Sequence, residues 1–181
     1  NDNKDPRMAQ FFTQAKNLSD NKNIGYKGAP VAYTNRTTFT YQPSNFNQNL
    51  AKAPLKVLIL PYAELQFILS ELAFKGVVSG NAQTYYENGV KAAIEQWNAT
   101  LPANYFSNTS VMYNGTLERI MLQKYVALFF VDQQQWYEKR RTGYPVLPNN
   151  GGLLNDGKMP QRLMYPTQPK ILNAENYQAA V

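Results

Sequence analysis

Glu64 and Glu71 are the side chains best placed for acid–base work, because the 181-residue chain contains neither His nor Cys. Their absence excludes a Ser-His-Asp triad, a thiolate nucleophile, disulfides and the common zinc sites, and leaves carboxylates, Lys and Tyr. Seven residues along a helix rise about 10.5 Å and bring both carboxyls to one face. Glycoside hydrolysis needs two carboxyls about 5–9.5 Å apart across a sugar. This pair is too widely spaced and points one way, so ion pairing or solvation is its expected role. No catalytic residue, metal ligand or cofactor is expected.

Binding is the chemistry that the composition favours. Tyr (13) and Phe (9) are abundant, and Asn and Gln are frequent. Aromatic faces flanked by amides suit polar, uncharged ligands such as sugars. Residues 17–54 show no sustained period and carry Tyr26, Tyr33, Tyr41 and Phe46 among Asn, Thr, Gly and Pro. Recognition usually sits on loops held by a rigid scaffold, so these four aromatics are the candidate ligand-binding residues. Trp97 and Trp136 fall on apolar helical faces and are expected in the core. The net charge of +6 comes from scattered basic residues, apart from Lys139-Arg140-Arg141. That triplet lies at an expected helix end, where cations complement the dipole. A nucleic-acid binder gathers its charge into a stripe, so no nucleic-acid partner is expected.

The elements that must position these residues read as mainly helical, with long loops. Asp5-Pro6 is a helix start, with Met8, Phe11 and Phe12 on one face. Residues 61–98 form a helical hairpin. Pro61 opens its first helix, Leu65, Ile68, Leu69 and Leu72 follow at helical spacing, and Gly76 stops it. The second helix carries Tyr86, Val90, Ala93, Ile94 and Trp97. Residues 116–145 hold two further helices. Thr116 caps the first, Asp132 and Gln135 resemble a capping box for the second, and Gly143 and Pro145 end it. The tail, 146–181, is rich in Pro and is expected to be irregular. No stretch approaches the roughly 20 apolar residues that span a bilayer.

A helical hairpin of this form resembles a tetratricopeptide unit, which cannot bury its faces alone and normally stacks on neighbours. The chain is therefore expected to lean on a part of the protein that it does not contain.

Several motifs, in order, resemble the SusD/RagB family of surface lipoproteins of Bacteroidetes, in its SusD-like-2 branch. They begin with Asp5-Pro6-Arg7, then Tyr62-Ala63-Glu64-Leu65 with Glu71-Leu72-Ala73 and Lys75-Gly76. Tyr85-Tyr86-Glu87-Asn88-Gly89-Val90, ending in Trp97, follows. Leu117-Glu118-Arg119-Ile120 with Gln123-Lys124-Tyr125, Trp136 and Arg140-Arg141-Thr142-Gly143-Tyr144-Pro145 is the most specific stretch. Met159-Pro160-Gln161-Arg162-Leu163-Met164-Tyr165-Pro166, with Asn173 and Asn176, completes the set.

The resemblance implies a SusD-like αα-superhelix, of which residues 1–181 are the C-terminal portion of a single domain whose N-terminal part is absent. It implies no catalysis. The implied role is capture of a glycan or oligopeptide at the cell surface and delivery to a SusC-like TonB-dependent β-barrel transporter. Anchoring would be through a lipidated N-terminal Cys that lies outside this chain. In such a protein Arg140-Arg141-Thr142-Gly143-Tyr144-Pro145 is a structural corner. The rival readings are a tetratricopeptide-like scaffold for protein partners and, more remotely, a carbohydrate-active enzyme.

Overall fold

A computed structural model describes residues 4–29, 40–54, 57–149, 153 and 155–180. The short helix expected after Asp5-Pro6 forms, but Asp5 is not its cap. Its carboxylate accepts the Arg7 backbone N–H at 2.9 Å in a tight turn, and α1 is the single turn Met8–Phe11. The chain then runs through β1 (Lys16–Asn17), which pairs antiparallel with β2 (Tyr41–Gln42) in the register Lys16↔Gln42 and Asn17↔Tyr41. An isolated bridge between Phe12 and Phe46 extends this pairing. A 3-10 turn, Gln48–Ala51, follows, with the Asn47 side chain accepting the Asn49 N–H.

The hairpin forms as expected. Tyr62–Phe74 is α2 and Ala82–Glu95 is α3. Gly76, at φ 70°, takes the left-handed conformation that closes α2, and Asn81 caps α3 through Thr84 N–H. Ser70 on α2 donates to the Ala82 carbonyl at 2.8 Å and ties the two helices at the turn. Gly89 lets them approach closely, since a Cβ there would lie 3.0 Å from the Phe67 ring. Both helices pack against α4, Leu117–Ala127, whose Thr116 hydroxyl accepts the Arg119 N–H as the cap. Phe67, Tyr86, Val90, Ile94, Ile120 and Met121 form the centre of this core.

Three sequence expectations are corrected. On α2 the leucine stripe is not the inner face. Ala63, Phe67 and Ser70 face inward with Glu64, Gln66 and Glu71, while Leu65 is 42% exposed and Ile68, Leu69 and Leu72 are half-buried. The reason is packing: α3 and α4 approach the side with small residues and charge partners, which leaves the larger aliphatic side open. The Asp132–Gln135 capping box does not form. Gln133 precedes α5 (Gln134–Thr142) without a side-chain cap, and Gln135 instead donates to the Tyr125 carbonyl at 2.7 Å. The tail is also less irregular than its prolines suggest, because it holds two short helices, α6 (Thr167–Leu172) and α7 (Ala174–Ala180). Helix α5 has no fully buried residue and ends at Gly143, which is left-handed at φ 80°.

Candidate functional site

Phe11 and Phe46 pack on rings at the ends of α3 and α4. Phe11 lies 4.3 Å from Phe129 and meets Trp97 edge-on at 5.2 Å. Phe46 stacks on Phe130 at 5.4 Å with the rings 12° from parallel. A second fastening is Arg7, fully buried, which bonds Asp5 at 2.6 Å and Gln123 of α4 at 3.2 Å. Burial alone would raise the Asp5 carboxyl, but the bonds and charge of Arg7 outweigh it and hold the carboxyl below its ordinary value. The Asp-Pro-Arg segment is thus a structural anchor.

Of the two carboxylates on α2, Glu71 is taken up by charge partners. Glu71 accepts Arg141 at 2.8 and 2.5 Å and Lys75 at 2.5 Å. Arg141 also bonds Glu138 at 2.8 Å, and Glu138 reaches the buried Lys124 at 2.9 Å. Burial opposes ionisation of Glu71, yet the Arg141 and Lys75 bonds prevail and hold it at about 2. Glu64 differs: burial raises it, Lys124 opposes that shift, and the nearby Glu138 adds to it. The Arg140-Arg141-Thr142-Gly143-Tyr144-Pro145 segment is therefore the corner that joins α5 to α2. Among the described residues no group of three His, Cys, Asp or Glu side chains is placed to hold a metal ion.

Of the candidate aromatics, the three that are described do not share one hollow. Tyr33 lies outside the described residues. Tyr26 is half-buried. Tyr41 donates its hydroxyl to the Gly28 carbonyl at 3.1 Å, with the Lys27 ammonium 5.5 Å from its ring centre. Phe46 does line a hollow, although its contact with Phe130 commits part of the ring to packing. That hollow, about 420 Å³, lies between the β1–β2 ladder and the 3-10 turn, and neither Tyr26 nor Tyr41 lines it. Gln14, Lys16, Gln48, Asn49 and Lys52 give it polar walls, none of which the aromatic signal had singled out. The amide density of this stretch was the signal available for them. Trp136, expected in the core, is instead half-buried beside a separate hollow of about 350 Å³ and carries Arg140 over its ring at 5.0 Å.

A mainly helical body built on a tetratricopeptide-like hairpin is the class this fold defines. The family model described as starch-binding and associating with the outer membrane matches residues 1–166, and the chain belongs to this SusD-like family. A chitin-binding protein of known structure is 27% identical and superposes with a TM-score of 0.78 over 99% of this chain and 44% of its own. A SusD homologue from Bacteroides fragilis is 29% identical, with a TM-score of 0.73 over 99% of this chain and 45% of its own. One from Bacteroides thetaiotaomicron is 26% identical, again at 0.73, over 99% and 44%. The chain spans less than half the length of each. No curated protein matches it. The family is outer-membrane associated and nutrient-binding, and no helix among the described residues is long and apolar enough to cross a membrane.

Proposed function

We propose that these residues are the C-terminal portion of a surface-exposed nutrient-binding protein that delivers a glycan to a SusC-like TonB-dependent outer-membrane barrel. It performs no catalysis. The observation that carries this reading is the family match over residues 1–166. The pairing of Glu71 with two cations agrees with it, since a carboxylate so engaged is a poor general acid. The lipid anchor belongs to a segment outside the chain. The open leucine side of α2, continuous with Val57, Ile59 and Leu60 at 77, 84 and 64% exposure, is the surface that the N-terminal helices of the same domain would cover. The structural neighbour described as chitin-binding makes β-linked glycans the first ligands to try, ahead of oligopeptides. The candidate contacts are the 17–54 loop aromatics Tyr26, Tyr33, Tyr41 and Phe46, together with the amide-walled hollow beside them.

The second reading, a tetratricopeptide-like scaffold, is favoured by that same open face, which a protein partner would also cover. Gentle solubilisation of outer membranes carrying the tagged full-length protein, followed by mass spectrometry of what co-purifies, separates the two. A near-stoichiometric β-barrel is the expected result. Soluble partners without a barrel would sink the uptake reading in favour of the scaffold.

A further inference from the structure

The amide-walled hollow continues into a second one of about 200 Å³, and Asn49 and Lys52 line both. The second adds Gln96, Trp97 and Asn98 from the end of the hairpin. Among the described residues, Gln96 Nε2 and Trp97 Nε1 are buried donors without a hydrogen-bond partner. Buried donors left unpaired are costly, so such groups ask for an acceptor. Among the described residues the ammonium groups of Lys16 and Lys52 have no ion pair, and no Asp or Glu lines either hollow.

The local charge points the same way. Residues 6–63 hold seven basic side chains (Arg7, Lys16, Lys22, Lys27, Arg36, Lys52 and Lys56) against one acid, Asp20, a difference equal to the whole net charge of +6. Of these, Lys16 and Lys52 line the hollows. A neutral sugar presents hydroxyls that donate as readily as they accept, and the free amide heads of Gln14, Gln48 and Asn49 already match it. The surplus of donors calls for a ligand group that only accepts.

We propose that this double hollow binds an anionic saccharide, with its carboxylate or sulfate ester on Lys52 and Lys16 and its hydroxyls on the surrounding amides. The proposal rests on the nutrient-capture reading and narrows its ligand class. Lys52, common to both hollows, is the principal cation.

Calorimetric titration of the intact protein with an oligogalacturonate, the same oligosaccharide methyl-esterified, and a sulfated oligosaccharide of equal length tests this. At low ionic strength at least one charged ligand is expected to bind about tenfold more tightly than the ester, with the margin shrinking in high salt. Whichever charged form binds identifies the anionic group. Lys52→Gln is expected to remove most of the margin, Lys16→Gln part of it, and Lys91→Gln, on the exposed side of α3, none. Equal affinity for charged and esterified forms overturns the proposal, as does a charge preference that survives both lysine changes. Failure of every saccharide to bind also overturns it, while the uptake reading still stands on the co-purified barrel. Charged-saccharide binding without a barrel would leave the site and remove the transporter.

Discussion

Arg141 on α5 bonds both carboxylate oxygens of Glu71 on α2, at 2.8 and 2.5 Å, across 70 positions of sequence. Glu71 is 5% exposed, whereas the Arg141 side chain is 45% exposed, so the pair sits between the surface and buried regimes. Removing one partner costs up to about 1 kcal/mol in the first regime and about 3–5 kcal/mol in the second. Glu71→Gln is expected to destabilise the fold by about 2 kcal/mol, read from the midpoint of urea unfolding. A double-mutant cycle with Arg141→Gln should return a coupling of about 1 kcal/mol or more. Coupling near zero would mean that the bidentate contact contributes nothing to docking of α5.

The same carboxylate sets an acid limit. Glu71 is held at about 2, below its ordinary 4.5, and Glu138 is lowered as well. A carboxyl depressed in the folded state contributes stability above its unfolded value, and loses it as pH falls toward the folded value. Stability is therefore expected to decline between about pH 4.5 and pH 2, with Glu71 accounting for about 2 kcal/mol after allowance for solvent around Arg141 and Lys75. Glu64 is raised, so its protonation on acidification acts with the opposite sign. Urea midpoints measured across this range should fall less steeply in Glu71→Gln than in the parent.

Close packing of the hairpin makes a second kind of demand. A Cβ at Gly89 would stand 3.0 Å from two ring atoms of Phe67, which is itself fully buried. Helix propensity favours Ala over Gly by about 1 kcal/mol, and overpacking costs about 1–3 kcal/mol. Gly89→Ala is expected to lose about 1 kcal/mol net, and a lower thermal midpoint in calorimetry is the check. An unchanged or raised midpoint would show that Phe67 has room to move.

Tyr86, fully buried, donates its hydroxyl to the Val111 carbonyl and so ties the loop before α4 to the middle of α3. Tyr86→Phe leaves that carbonyl unpaired in the core and is expected to cost about 1–2 kcal/mol. Hydrogen exchange should quicken around residues 105–113 more than in α2.

The helices were legible because their signals are local. Thr116, Gly76 and Gly143 punctuate the chain where backbone chemistry requires, and the spacing of Tyr86, Val90, Ala93 and Ile94 names the inner face of α3. On α2 the same reasoning chose the wrong side. Hydrophobic spacing shows which residues want cover, not which partner supplies it, and Arg141, which pairs with Glu71, comes from α5. The hollows were harder still. Lys16, Asn49 and Lys52 meet through a two-residue ladder and a 3-10 turn, and neither leaves a periodic trace in sequence. Phe46, chosen as an aromatic platform, does reach the hollow, but its stacking on Phe130 depends on the chain reversal after α4, where Phe130 has φ 70°.

Helix α5 has no fully buried side chain, and Gln135, Glu138 and Arg141 tie it to α4 and α2. Its attachment is electrostatic, and contacts of that kind give way independently of an oily interior. Helix α5 is therefore expected to open at a lower free energy than the α2–α4 bundle, which faster hydrogen exchange in α5 than in α3 would show. An opened α5 would deprive Lys124 of Glu138 and leave Glu71 with Lys75 alone.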